Sequence, residues 1–285
     1  MSGALPEIVE AYRDRLWRRE EASRVEDAAG AERFVEDVGF CAAMTDARRP
    51  GPSLYVAVCG RRDAHMPRNV QKDPEASATW LLKDELMRRG RVYYAKLSKN
   101  RTWFVAPRLT PYLNALWGVP RRAEGERLSE DARAVLRVLR REWEMATSDL
   151  RGEAKIADRA RFYKALDELQ RAMKVIPQEV LYEPCFTYIW TLSESRFADR
   201  LKTRVSPEAA LREVARAFLV GAGMTLRGEL AKVTGLARAQ AGAGNRALVA
   251  EGFAVRVAEG VYRLSDFDER CLALGLQPDS PPGED

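Results

Sequence analysis

The sequence predicts a mainly α-helical fold with small β-hairpins, and three observations carry that expectation. One order of elements, three short helices and then a hairpin with charged ends, occurs twice, at 128–192 and 206–264. Within it, Leu150-Arg-Gly-Glu153 reappears as Leu226-Arg-Gly-Glu229, and Ala165-Leu166 reappears as Ala247-Leu248. A further hairpin preceded by helices lies upstream, at 91–106. Helix, helix, helix, hairpin is the order of a winged helix, a helix-turn-helix variant that usually sits on DNA. The expectation is therefore three tandem winged-helix domains with internal repetition.

Each element has a local reason. Residues 1–28 hold an amphipathic helix, Pro6–Glu20, with Ile8, Val9, Tyr12, Leu16 and Trp17 inward and Arg13, Arg15, Arg18 and Arg19 on the solvated side. The first domain, 29–127, begins with a helix over 29–38 that buries Phe34, Val35 and Val38 and stops at Gly39. Phe40–Met44 is apolar and reads as buried; Ser53 caps a short helix ending at Gly60. Pro67, Asn69, Asp73 and Pro74 punctuate a long loop over 61–77. A helix over 78–89 ends at Gly90, and Arg91–Leu97 pairs with Thr102–Ala106 across Ser98-Lys-Asn-Arg101. A linking helix, 107–116, and a polar linker, 118–127, follow.

The second domain, 128–205, opens with Ser129 as cap, two acids in the first turn, and Val135, Leu136, Leu139 and Trp143 on one face. Thr147 or Ser148 starts its second helix, and the third carries Phe162, Leu166, Leu169 and Met173. The third domain, 206–265, opens with Ser206-Pro207-Glu208, a cap followed by proline at the first helical position. A second helix is expected over 226–234. The third helix, up to Gly252, contains Ala241-Gly-Ala-Gly244, a poor helix former that suggests a short or kinked element. The tail, 266–285, sets Arg270 against six acids and is expected to fray in solvent.

Composition narrows the function classes. The chain of 285 residues is 46% hydrophobic and 31% charged, which fits a folded protein rather than a disordered one. No apolar run reaches the roughly 18 residues that a membrane span requires, and Glu7 and Glu10 interrupt any signal-peptide pattern. Four scattered cysteines and one histidine, His65, argue against a metal centre and for a reducing cytoplasm. No cofactor is expected. The net charge of +5 is unevenly placed: 83–108 carries eight basic residues and two acids, whereas 128–192 balances at eleven against eleven. The third domain carries eight against five. That distribution points to a polyanion partner, double-stranded DNA, engaged by a monomer.

Candidate contacts follow from side-chain chemistry. Lys96, Lys99 and Arg101, at the first hairpin tip, suit phosphate. Arg159, Arg161 and Lys164 cluster at the start of one third helix; Arg238, Gln240, Asn245 and Arg246 are available on the other. Gln and Asn can pair with adenine, and Arg with guanine.

Phe34-Val-Glu-Asp-Val-Gly-Phe-Cys41, Pro52-Ser-Leu-Tyr-Val-Ala-Val-Cys-Gly60, Trp80-Leu-Leu-Lys-Asp-Glu-Leu86 and Val92-Tyr-Tyr-Ala-Lys-Leu97 are similar to the AlkZ/YcaQ-like superfamily, and more closely to its AlkZ-related branch. The resemblance spans about 30–265. It implies three winged helices forming a C-shaped clamp on duplex DNA, a hairpin that probes lesions, and bacterial DNA glycosylase activity on N7-alkylated purines and interstrand crosslinks. It also implies a Gln-x-Gln or Gln-x-Asp motif that orients the attacking water, placed after a Leu-Gly-hydrophobic-hydrophobic stretch. Here the matching stretch, Val38-Gly39-Phe40-Cys41, continues as Ala42-Ala43-Met44, and both polar residues are missing. Alanine and methionine cannot polarise water. Asp46, Asp84 and Glu85 are the carboxylates that could substitute. Three readings follow: a non-catalytic lesion binder, a glycosylase with a relocated carboxylate, or a transcriptional regulator.

Overall fold

The computed structural model describes residues 5–98 and 101–277. Helix α1 (Glu7–Leu16) precedes three units that build their sheets in the same way. The first contains α2 (Ala28–Val38), β1 (Phe40–Ala42), α3 (Leu54–Cys59), α4 (Pro74–Arg89), β2 (Tyr93–Lys96) and β3 (Thr102–Val105). Helices α5 (Thr110–Trp117) and α6 (Glu124–Arg127) lead to the second, formed by α7 (Glu130–Glu142), β4 (Glu144–Ala146), α8 (Thr147–Glu153), α9 (Arg159–Arg171), β5 (Val175–Leu181) and β6 (Thr187–Leu192). After α10 (Ser193–Lys202) the third comprises α11 (Pro207–Ala222), β7 (Met224–Thr225), α12 (Glu229–Thr234), α13 (Arg238–Ala250), β8 (Ala254–Ala258) and β9 (Val261–Leu264), and α14 (Phe267–Ala273) follows. The strand orders are β1-β3-β2, β4-β6-β5 and β7-β9-β8, all antiparallel. In each unit a short strand after the first helix pairs with the return strand of the hairpin. The fold is thus mainly helical with small antiparallel sheets.

The repetition extends to one backbone turn. The first helix of each unit ends at a residue with positive φ: Gly39 at 78°, Trp143 at 71° and Gly223 at 68°. That turn throws the chain from helix into strand, and glycine makes it without steric cost. Trp143 is the exception, and its side chain is 68% exposed. The sequence expectation placed Trp143 on the buried face of α7; the cap turn instead rotates it into solvent.

The first and third units share one core. Phe40 packs against Trp103 at 5.3 Å between ring centroids and against Phe218 at 6.5 Å. The second unit has its own core, around Leu136, Leu139, Phe162 and Leu166, while Met173, Ile176 and Val180 join the other. Helix α1 ties the shared body together. Arg13, expected on a solvated face, is only 4% exposed. Its guanidinium donates to the Ala222 and Met224 carbonyls at 3.1 and 2.6 Å, and to both Glu229 oxygens at 2.9 and 3.0 Å. Charge in the helical pattern hid this role, because an arginine saturated by acceptors can be buried.

Four other expectations change. Helix α4 begins at Pro74 rather than Ala78, since Asp73 accepts the Ala76 N–H and caps a proline-led first turn. Thr225 pairs in β7, and the second helix of the third unit starts at Glu229, after Gly228. Helix α13 runs without interruption over 13 residues despite its glycines. A Cβ on Gly244 would lie 2.4 Å from the Leu211 carbonyl oxygen, so the missing side chain lets α13 approach α11. The described part of the tail forms α14 rather than fraying, and residues 278–285 lie outside the described residues. Phe267 and Cys271 on α14 are buried, with Phe267 against Tyr12 at 5.2 Å.

Candidate nucleic-acid interface

The tip of the β5–β6 hairpin carries the most distinctive surface. Leu181, Tyr182 and Phe186 are 42%, 52% and 48% exposed, and Trp80 on α4 is 38% exposed. The rings form a chain: Tyr182 to Phe186 at 5.6 Å, Phe186 to Tyr188 at 5.3 Å, and Tyr188 to Trp190 at 5.8 Å. Strand alternation explains the layout. Tyr188 and Trp190 turn inward along β6, and the tip residues extend beyond the sheet.

A buried ion pair lies beneath these rings. Lys83 is 2% exposed and Asp84 3%, both on α4. Lys83 Nζ lies 2.5 Å from Asp84 Oδ1 and donates to the Tyr188 hydroxyl at 3.1 Å. The same ammonium lies 4.3 Å from the Trp80 ring centroid and 5.2 Å from that of Tyr188, so two π faces help offset its desolvation. The Tyr182 hydroxyl donates to Asp84 Oδ2. Burial, together with the Asp84 carboxylate, pushes the Tyr182 hydroxyl up to about 12, so it stays a proton donor at neutral pH. This arrangement can present flat apolar faces to an unpaired base, above a fixed negative and positive charge.

The other two candidate carboxylates lie elsewhere. Asp46 is 6% exposed and accepts from the Arg48 backbone and guanidinium and from the Met66 N–H at 3.0 Å. The Arg48 hydrogen bonds hold its pKa down at about 2, which makes it a weak base. It borders a cleft of about 180 Å³ shared with Arg13, Arg62 and Glu229. Glu85 is exposed and pairs with Arg89 at 3.4 Å. Asp46 and Asp84 have no hydrogen-bond partner in common. At Ala42-Ala43-Met44 the chain is apolar, with both alanines buried.

The candidate phosphate contacts divide into spent and free cations. Lys96 pairs with Asp167 at 3.0 Å, its backbone N–H donates to Gln170, and it thereby locks the first hairpin to α9. Arg161 forms a two-pronged pair with Asp131 at 2.8 and 2.9 Å. Arg159 lies over the Tyr163 ring at 5.5 Å and lines a cavity of about 490 Å³ behind the aromatic tip, together with Arg151 and Phe186. Lys164 is exposed, Arg101 is half-buried, and neither forms an ion pair among the described residues; Lys99 lies outside them.

On the third unit, Arg238, Asn245 and Arg246 of α13 line a cavity of about 600 Å³ with Lys232 and Arg256. Asn245 is 6% exposed, and its Oδ1 has no hydrogen-bond partner among the described residues. A buried amide left open toward a cationic cleft is a group suited to a ligand. Gln240 is used differently: its Oε1 accepts the Ala237 N–H and caps α13.

Sequence reasoning missed Trp80, Lys83, Tyr182 and Phe186. A usable signal was present in Leu181-Tyr-Glu-Pro-Cys-Phe-Thr-Tyr188, where aromatic residues crowd a proline-marked hairpin turn.

A family model described as AlkZ related matches residues 25–185. The solved structure of Streptomyces sahachiroi DNA glycosylase AlkZ is similar, with a TM-score of 0.53 at 16% identity, over 93% of this chain and 71% of that one. At that identity the likeness concerns the fold. No curated protein matches the chain.

Proposed function

The chain belongs to the AlkZ-related family, and on that footing we propose that it is a duplex DNA-binding protein that recognises damaged or unpaired bases without excising them. The observation that carries this reading is the aromatic hairpin tip, Tyr182 and Phe186, set beside Trp80 over the buried Lys83–Asp84 pair. Exposed rings at the end of a hairpin are the chemistry of a wedge or stacking platform. The three units act as tandem winged helices, divided at 29–127, 128–205 and 206–265, on a monomer working in the cytoplasm. Free cations on two of them, Arg159 and Lys164, then Arg238 and Arg246, supply phosphate contacts. The apolar Ala42-Ala43-Met44 stretch supports binding without catalysis, because nothing there can orient water.

One observation favours a second reading. Asp84, unlike Asp46, lies directly under the rings, so a base drawn into the tip would bring its sugar toward a fixed carboxylate. An N7-alkylated purine is already cationic and leaves readily, so a carboxylate that stabilises an oxocarbenium could suffice. A regulator reading single operators has no comparable support.

The deciding experiment follows base release from a duplex carrying one N7-alkylguanine. Protein is in excess, and uncatalysed depurination serves as background. The proposal expects tight binding and background release. Release well above background, abolished by Asp84→Asn with binding retained, would replace it with the glycosylase reading. No binding at any salt concentration would remove both.

A further inference from the structure

We infer that a cavity between the two inter-unit linkers binds a phosphate chain, either on a free nucleotide or polyphosphate or at the end of a single strand. The cavity holds about 630 Å³ and lies between 118–122 and 202–205. Seven cations line it against one acid, Glu194. Two of the seven, Arg140 and Lys174, share Glu124 at 2.8 and 2.7 Å. The other five are Arg121, Arg122, Arg127, Lys202 and Arg204. All five are exposed, and none forms an ion pair among the described residues. Arg140 Nε is buried and lacks an acceptor among the described residues.

Five such cations line this cavity, against four, Lys232, Arg238, Arg246 and Arg256, in the cavity on the third unit. Many arginines elsewhere are paired with carboxylates, among them Arg62 with Glu7 and Asp14, Arg89 with Glu32 and Arg108 with Glu36. Five unpaired like charges converging on one concavity repel one another, and a multivalent anion relieves that repulsion. Guanidinium forks suit phosphate oxygens, which they bind two at a time. Val119, Leu136 and Leu192 add an apolar wall that could take a base or sugar.

Size and place separate this cavity from the proposed lesion surface. Its volume falls in the roughly 300–1,000 Å³ range of small-ligand sites and cannot admit a duplex. It touches Lys174 and Leu192, at the base of the β5–β6 hairpin. The aromatic tip lies at the far end of a seven-residue strand, about 20 Å away at ~3.3 Å per residue. A ligand here would bridge the two linkers that join the second unit to its neighbours.

The test uses the full chain and calorimetric titration with inorganic tripolyphosphate, in chloride buffer of physiological ionic strength. One equivalent should bind saturably and raise the melting temperature. Arg122→Glu with Arg204→Glu should weaken binding at least tenfold. Arg68→Glu with Lys72→Glu, which changes net charge equally on exposed residues outside the cavity, should leave it unchanged. Competition by a short oligothymidylate assigns the site to a strand end, and its absence assigns the site to a free phosphate chain; both uphold the cavity. No binding to the wild-type chain, or equal losses in the two double variants, overturns it.

Discussion

Replacing both tip rings, Tyr182→Ala with Phe186→Ala, should separate shape recognition from charge. The side chains are 52% and 48% exposed. A large aromatic ring buries roughly 150–250 Å² in full contact, so each has about 100 Å² to offer. At ~25 cal/mol per Å² that amounts to about 2.5 kcal/mol per ring. Ordering and imperfect fit take back part of it, which leaves about 1–3 kcal/mol per stacked base. The double variant should therefore lose about 2–4 kcal/mol of affinity for a duplex with an abasic or unpaired site, roughly 30- to 1,000-fold in Kd. Undamaged duplex should lose much less. Fluorescence anisotropy over a salt series reads both quantities. Neither substitution removes a cation, so the slope of log K against log salt should stay constant while the affinity drops. Tyr182→Phe keeps the ring and deletes only the hydroxyl donated to Asp84, so it should retain most of the affinity. Binding within twofold of wild type in the double variant, or a flattened salt slope, would refute the stacking role.

Four stability predictions test the scaffold. Glu229→Ala strands the Arg13 guanidinium in a site 4% exposed; the cost should be about 3–5 kcal/mol, with a fall in Tm of roughly 10 °C, and a loss under about 1 kcal/mol would deny the pair its stapling role. Trp143→Gly should stabilise by about 1 kcal/mol in urea unfolding, because Trp143 holds φ 71° and ψ −48° while burying little; destabilisation would mean that the indole packs to effect. Gly244→Ala should cost about 1–3 kcal/mol by driving α13 off the Leu211 carbonyl, and a neutral result would show that the helices can part freely. For Asp46, the folded pKa of about 2 is below the ordinary 3.8, so its contribution is present above pH ~4 and lost as pH falls toward 2. Asp46→Asn should flatten the acid limb of stability in that window, and an unchanged limb measured by circular dichroism would discount the Arg48 clasp.

Much of the architecture could be read from local signals. Ser129 and Ser206 accept the N–H three residues on, at Ala132 and Ala209. Gly39 and Gly223 mark the same turn in two units. Trp143 was misplaced because helical spacing continues through it, whereas the backbone has already turned. Asp73-Pro74 reads as loop punctuation, yet Asp73 accepts the Ala76 N–H and starts α4. The functional surface was harder to read. The site expectations rested on carboxylates and cations taken one at a time. Whether each is spent depends on partners far along the chain: Lys96 on Asp167, Arg13 on Glu229, Tyr182 on Asp84. Contacts separated by 71, 216 and 98 residues leave no periodicity to detect.

The division of cations also bears on how a polyanion could be engaged. The basic stretch over 83–108 looks in sequence like the strongest phosphate surface, yet the structure uses much of it internally. Lys83 is buried against Asp84, Arg88 pairs with Glu179, Arg89 and Arg91 with Glu32, Lys96 with Asp167 and Arg108 with Glu36. Neutralising a phosphate would require each of these to give up a carboxylate, so the net gain per contact is small. Within that stretch Arg101 has no such partner among the described residues, and further unpaired cations lie on the second and third units: Lys164, Arg238 and Arg246, with Lys232 and Arg256 beside them. A duplex held by those residues would cross the units that the first one braces, and the first unit would contribute Trp80 and the Lys83–Asp84 pair rather than charge. Salt dependence should then respond to Arg238→Glu with Arg246→Glu far more than to charge reversal at Arg89 and Arg91. Equal responses would return the first unit to the electrostatic interface and remove the division of labour proposed for it.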